Sequence, residues 1–450
     1  MKLKKTVITI ISICLCGFLS FRILSLFRIE VDNHQTYQSE AVFYEQKENS
    51  LDAVFIGGSA VYRFWEPPLA WDDYGFTSWS FSIPAMNAIN YPYIIKEIDK
   101  TQPDALLMIS LNGFINMNID AAGIYRNTSY MPLSRNKIEM IHDLANKIGY
   151  YGWDQLEFYF PIMRFHDRWS ELNAWDFNHK PDPYKSGAYE GIFWSKKNVA
   201  YFFKNTDEEI DATKEQTEFL NELFEFLDQC GHEVLFVVSP QALNADGRQL
   251  RMNRMCSLIQ EQGYGCLNLY DYYDETGIQP ETDYYNERHT NIHGAIKSTD
   301  FIARYLVENY GFSDKRGQPG YEDWDEAAVL YNELISPYTL PFERENAPRN
   351  YELAIPKLNE PERNAQKAVI SWNASAGSMG YDIYRKSDAP GEESWAYLAG
   401  TDSAVLEYKD SGLLPDVNYT YTVVPKIITD GKEIYGNFNF SGVEAKTAEE

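Results

Sequence analysis

Three residues suited to acyl-transfer chemistry stand where short apolar runs end or a helix begins. Ser59 closes "VFIGGS", Asn112 follows "LMISL", and His289 lies in "DYYNERHTNIHGA", just ahead of a helical pattern. A serine hydroxyl is a poor nucleophile near neutral pH unless an imidazole takes its proton. The oxyanion formed on attack then needs donors already in place. Each residue also has an ordinary reading. Serine after glycine is common at strand ends, Asn112 is suited to capping a turn, and His293 reads as a helix-start residue rather than a catalyst.

The surrounding pattern decides what could position them. Leu51 to Ile56, Ala105 to Leu111, His232 to Ser239 and Tyr264 to Tyr270 read as buried strands. Gln216 to Gln229, Arg248 to Glu261 and Gly294 to Tyr310 read as amphipathic helices, the first stopped by Gly231. Strands alternating with helices imply an α/β domain with a parallel sheet covered on both faces. Such sheets place their sites outside the carboxyl ends of the strands, where Ser59 and Asn112 fall. Residues 114–212 break the rhythm. This aromatic stretch, with Trp153, Trp169, Trp175 and Trp194, reads as a large insertion. It is either a lid or binding wall above the sheet edge, or a satellite helical subdomain. His166 and Arg168 in "FPIMRFHDRW" are candidates for substrate contact, with surface ion pairing as the alternative.

At 450 residues, two domains are expected. The formal charge of −26 argues against a nucleic-acid partner, because phosphate backbones are held by clustered Lys and Arg. The 15% aromatic content suits both sugar stacking and large cores, so it separates nothing. Lys2, Lys4 and Lys5 precede the apolar stretch Thr6 to Phe27, which Arg22 interrupts. That pattern predicts a cytoplasmic stub and uncleaved signal anchor within residues 1–30, and an extracellular remainder on a single-pass membrane protein. Cys230, Cys256 and Cys266 show no metal spacing and read as small buried apolar residues. No P-loop or dinucleotide fingerprint is present, so neither cofactor nor metal is expected.

From about residue 346 the pattern turns to alternating apolar residues with turns between them. Trp372, Tyr381, Tyr384 and "LLPDVNYTYTV" with Tyr419 and Tyr421 resemble a fibronectin type III module over residues 346–450. Gly-Gly-Ser after the first strand, together with the late His block, makes residues 31–345 resemble the SGNH/GDSL hydrolase superfamily. The resemblance implies a three-layer, flavodoxin-like domain. Ser59 then matches the nucleophile and His289 the base. The N–H groups of Ser59 and Ala85 and the Asn112 amide match the oxyanion donors. More narrowly, the anchored chain with "HTN-x-x-GA" resembles extracellular SGNH-like proteins that work on surface polymers beside membrane-bound O-acyltransferases.

One residue departs from the family pattern. Three positions before His289 the family has Asp, and this chain has Asn286. A carboxylate there orients the imidazole and stabilises its charge; Asp283 or Asp271 is the substitute expected if one exists. The resemblance therefore implies an esterase or O-acyltransferase acting on acylated cell-surface polysaccharide. The other outcome is a catalytically weak subunit that binds the polymer or assists a membrane acyltransferase.

Overall fold

A computed structural model describes residues 2–24, 33–172, 174–177, 180–185, 206–241, 247–339 and 353–445, except 365, 390–394, 430–431, 437–438 and 440–441. Trp194 and the expected boundary at residue 346 lie outside the described residues.

Five parallel strands form the first sheet: β1 (Ala53–Gly57), β2 (Ser78–Ser82), β3 (Leu106–Ser110), β4 (Val234–Val238) and β5 (Gly265–Asn268). Their order is β2-β1-β3-β4-β5, so the chain runs outward from β1 in both directions. The apolar runs are continuous because both faces are buried, and the pleat deals alternate residues to opposite sides. Val54, Ile56, Leu107, Ile109, Phe236 and Val238 pack into one core. Ala53, Phe55, Leu106, Met108, Leu235 and Val237 pack into the other. A one-residue slip in any strand would exchange its two sets.

After the first helix, α1 (Lys2–Leu24), and short helical turns over residues 33–45 come the short α2 (Ser59–Tyr62) and α3 (Pro67–Tyr74). On the first face lie α4 (Tyr91–Asp99), α5 (Ala121–Thr128), α6 (Arg135–Lys147), α7 (Lys214–Cys230) and α8 (Arg248–Glu261). On the second lies α9 (Ile292–Tyr310), with Phe301, Ile302 and Leu306 facing Trp65 and Phe76. A last helix, α10 (Glu322–Thr339), sends Tyr331 and Ile335 against Leu69 of α3. The expected insertion does not enclose a core of its own in its described part. Met140, Ile141 and Leu144 of α6 join the main core, and Asn136 Nδ2 donates to Tyr93 O (2.8 Å) and Glu97 Oε1 (2.6 Å) of α4.

The edge strand β2 is absent from the sequence expectations, and its composition explains why. Ser78, Ser80 and Ser82 alternate with Trp79 and Phe81, and all five are buried. Ser80 Oγ and Ser82 Oγ bond to each other at 2.7 Å, whereas Ser78 Oγ is buried without a partner among the described residues. Ser39 Oγ donates to Ser80 O (3.0 Å) and accepts from Ser82 N (2.6 Å), as a neighbouring strand would. Trp79 Nε1 donates to Ser39 O at 2.9 Å.

Residues 353–445 form an antiparallel sandwich. One sheet has β8 (Glu362–Arg363), β9 (Lys367–Ser371) and β12 (Glu407–Ser411) in the order β12-β9-β8. The other has β10 (Gly380–Ser387), β11 (Ala396–Asp402), β13 (Tyr419–Thr429) and β14 (Lys432–Tyr435) in the order β11-β10-β13-β14, with β15 (Val443–Ala445) also on β13. Ile370, Trp372, Tyr381, Ile383, Tyr421 and Val423 fill the space between them. Tyr419 Oη accepts from Leu414 N at 3.1 Å, which ties the corner before β13. Tyr421 Oη donates to Asp410 Oδ2 at 2.7 Å.

Among the described residues, no helix is long and apolar enough to cross a membrane. Parts of the expected anchor, residues 25–27 among them, lie outside the described residues.

Candidate active site

The first strand delivers Ser59 to the carboxyl edge of the sheet through two glycines at which a side chain would crowd its neighbours. A Cβ on Gly57 would lie 2.7 Å from Ser110 Cβ and 2.7 Å from Val61 Cγ2. A Cβ on Gly58 would lie 2.9 Å from Met86 O. The chain therefore turns tightly against β3 and against the loop after β2. Ser59 then becomes the first residue of α2, where backbone N–H groups have no intrahelical acceptor.

The imidazole arrives from a small hairpin, β6 (Tyr284–Asn286) and β7 (His289–Thr290), immediately before α9. His289 Nε2 lies 2.7 Å from Ser59 Oγ, and His289 Nδ1 lies 3.1 Å from Asn286 Oδ1. The tautomer follows from the backbone. Asn286 Oδ1 accepts from the N–H groups of Arg288 (2.9 Å) and His289 (3.1 Å), which can only donate. The atom facing Nδ1 is thus an acceptor, and Nδ1 carries the proton. That leaves Nε2 with its lone pair toward Ser59, the form a general base requires. Asn286 orients the ring but brings no charge.

Electrostatics favour the neutral ring. Burial, then the positive charges of Arg63 and Arg288, push the His289 pKa down to about 3. Tyr285 stacks on the imidazole with ring centroids 5.5 Å apart and planes 11° from parallel. Arg63 lies 5.1 Å from the centre of that same Tyr285 ring. Among the described residues no carboxylate hydrogen-bonds to the imidazole. Asp283 is buried, but its Oδ2 accepts from Gln279 N (2.7 Å) and Lys297 Nζ (2.7 Å), so it bolts the hairpin to α9. Asp271 is exposed in the turn after β5. Neither makes a hydrogen bond to His289. Further back, Glu66 is fully buried, and that burial pushes its pKa up to about 8 against the opposing effects of Tyr331 and Arg63.

The remaining donors line the same cavity, whose volume is about 480 Å³. Met86 N donates to Ile83 O at 2.9 Å, closing a turn with Pro84 and Ala85 at its centre. Ala85 has φ +59°, as the third residue of a type II turn requires, although glycine is the usual occupant. Ala85 is exposed into the cavity. Asn112 is held from both ends: Nδ2 donates to Ser239 O (2.8 Å) and Oδ1 accepts from Ser239 N (2.9 Å). One amide hydrogen remains on its cavity side. Ser59, Ala85, Asn112 and His289 therefore border one cavity at the carboxyl edge of the sheet. A carbonyl placed against Ser59 there would meet a nucleophile, a base and backbone and amide donors together.

His166 and Arg168 are not among the residues lining the cavity. His166 is exposed, and Arg168 is buried in an ion pair with Asp176 at 3.1 Å. His293 lies in the first turn of α9, its N–H donating to Asn291 Oδ1 at 3.0 Å. The sequence reading missed Arg126, Arg248 and Arg288, which do line the cavity. Only Arg288, adjacent to His289, carried a positional signal. Among the described residues no group of His, Cys, Asp and Glu is arranged to hold a metal ion.

No protein-family model and no curated protein matches the chain. Among solved structures, a fibronectin type III-like protein from Clostridium thermocellum matches at 20% identity and a TM-score of 0.17, covering 22% of this chain and 96% of that one. The fibronectin type III domain of human collagen XX matches at 18% identity and a TM-score of 0.17, covering 21% and 94%. A beta-1,2-glucanase from Parabacteroides distasonis matches at 20% identity and 0.18, covering 22% of this chain and 13% of the glucanase. The protein combines a parallel α/β domain with a C-terminal antiparallel β-sandwich.

Proposed function

We propose that the α/β domain is a serine esterase or O-acyltransferase of SGNH type, acting on acyl esters of cell-surface polysaccharide. One observation carries the reading: Ser59 Oγ and His289 Nε2, 230 residues apart, meet at 2.7 Å at the carboxyl edge of the sheet. In the proposed reaction Ser59 Oγ attacks the acyl carbonyl while its proton passes to His289 Nε2. The N–H groups of Ser59 and Ala85 and the Asn112 amide receive the oxyanion. Collapse expels the sugar oxygen, which takes the proton from His289, and leaves the acyl group on Ser59. Water or a second sugar hydroxyl then attacks the acyl carbonyl as its proton passes to His289, and Ser59 Oγ leaves, taking that proton back from His289 as the acid or the new ester is released. The apolar stretch ahead of the domain supports a tether to the membrane, so the chain would act on the outer side, beside a membrane-bound O-acyltransferase.

A second reading has its own support. With Asn286 in place of a carboxylate and two arginines nearby, the imidazolium formed during catalysis lacks stabilisation. A weak or inactive SGNH-like subunit that binds polymer is the alternative. Turnover of p-nitrophenyl acetate and of acetylated polysaccharide by the wild type and Ser59→Ala separates the two. Loss of turnover in Ser59→Ala supports the esterase; rates indistinguishable from wild type support the binding subunit.

A further inference from the structure

We infer that a second, apolar cavity on the other side of α5 takes a single hydrocarbon chain, that of a membrane lipid or of a free fatty acid. The inference rests on the proposed tether only for the membrane as a source of that chain. Neighbouring residues of one helix serve the two cavities. Gly123, Ile124, Arg126 and Asn127 border the cavity at Ser59, whereas Tyr125 and Thr128 border the second. The second cavity is the larger, at about 690 Å³. That volume lies within the roughly 300–1,000 Å³ of small-ligand sites. Its apolar lining includes Tyr125, Met131, Leu133, Ile138, Phe158 and Phe160.

The polar side chains Thr128, Ser129 and Lys137 in the same wall already donate to backbone. Thr128 Oγ1 donates to Ile124 O (2.7 Å) and Ser129 Oγ to Tyr125 O (2.5 Å). Lys137 Nζ donates to Thr128 O (2.7 Å) and Met131 O (2.9 Å). A sugar entering here would leave hydroxyls short of partners. A hydrocarbon chain needs none, and it releases water from apolar walls. The cavity at Ser59 differs in kind, being lined by Asn87, Asn112 and Asn116. At the rim of the second, Leu133, Ile138 and Phe160 are exposed. The N-terminal segment packs on this wall. Tyr37 meets Tyr130, another lining residue, edge-on at 5.4 Å, and Tyr130 N donates to Glu40 Oε2 at 3.1 Å. Tyr37 comes ten residues after Phe27, the end of the apolar stretch, and ten residues reach at most about 36 Å. A leader seated in a bilayer therefore keeps this cavity within reach of lipid tails.

The test places the full chain in phosphatidylcholine nanodiscs that carry one of two probes with a diazirine near the end of an acyl chain. One probe is a phosphatidylcholine and the other a free palmitate. After photolysis the labelled residues are mapped by peptide mass spectrometry. Labelling is expected at Met131, Leu133, Phe158 or Phe160, and whichever probe leads names the source of the chain. Ile138→Glu sets a carboxylate against the chain and Ile138→Trp fills its space, so each should cut that labelling roughly ten-fold. Ile138 is half exposed, and melting temperatures close to wild type check that the variants fold. Labelling confined to the leader, no labelling of the cavity by either probe, or a yield unchanged in both variants overturns the inference. A chain that the nanodiscs do not retain shows the tether reading to be wrong, and labelling by the palmitate probe in buffer then decides the cavity. Hydrolysis of p-nitrophenyl acetate reads the esterase separately and should be unchanged in both Ile138 variants.

Discussion

Asn286 Oδ1 takes three donors at once, the backbone N–H groups of Arg288 and His289 and the ring Nδ1–H of His289, and so sets a histidine tautomer without supplying charge. In a Ser-His-Asp arrangement the third residue both orients the imidazole and stabilises its protonated form. Here the two tasks are separated, and only orientation is kept.

Restoring the charge should therefore restore rate. Asn286→Asp keeps the acceptor facing Nδ1 and adds a carboxylate, so kcat/KM for p-nitrophenyl acetate is expected to rise roughly ten- to a hundred-fold. The double variant Asn286→Asp/Ser59→Ala should show no turnover. An unchanged rate in Asn286→Asp would mean that proton transfer to His289 does not limit the reaction.

The wild-type pH profile should have an unusual acid limb. A general base must be unprotonated, and His289 stays so until pH falls near 3. Wild-type kcat/KM should be flat from pH 7 down to about 4, whereas an ordinary histidine loses activity below about 6.5. The same shift acts on stability. The unfolded chain takes up a proton near pH 6.5 and the folded chain only near 3, so stability is lost as pH falls across that window. In Asn286→Asp the acid limb should move to higher pH.

Glu66 has the opposite sign. Its folded pKa of about 8 lies above its ordinary value of 4.5, so its contribution is present below 4.5 and is lost as pH rises through 8. Glu66→Gln replaces the neutral acid with a neutral amide of the same shape. Denaturant midpoints for wild type and Glu66→Gln should nearly coincide at pH 5 and diverge toward pH 8, with the variant more stable. Parallel curves across that range would show that Glu66 is ionised in the folded protein.

Ala85 and Gly58 make a contrasting pair. Ala85 holds φ +59°, where a Cβ costs about 1 kcal/mol, so Ala85→Gly should raise the melting temperature slightly. Gly58→Ala places a Cβ against Met86 O, displacing the turn that presents the Ala85 N–H. It should lower both the melting temperature and, by ten-fold or more, esterase turnover.

The chain announced its strands where burial made them continuous: Leu51 to Ile56 and His232 to Ser239 became β1 and β4 with ends shifted by one or two residues. Arg248 to Glu261 became α8 at the same limits, because its flanks lack helical spacing. β2 was hidden because three of its five residues are buried serines, and its outer backbone is held by Ser39, a partner 41 residues before Ser80 that no local pattern reveals. Ser59 and His289 were legible as residue types at element ends. The arginine wall was not, since Arg126 and Arg248 sit 122 residues apart and only the crossover connections bring their helices to one mouth.

The bond between Ser39 and β2 also bears on how the α/β domain can be cut free. The outer rim of β2 pairs with no other described strand of its sheet, and Ser39 occupies one of its carbonyls, Ser80 O, and one of its amides, Ser82 N. An excised domain beginning at residue 46 would bare that rim, a template for strand addition by a second copy. An excised domain must therefore start ahead of Gln35, whose side chain also reaches Ser82 O. The segment that begins at Gln35 thus belongs to the folded unit of the α/β domain, well ahead of its first strand.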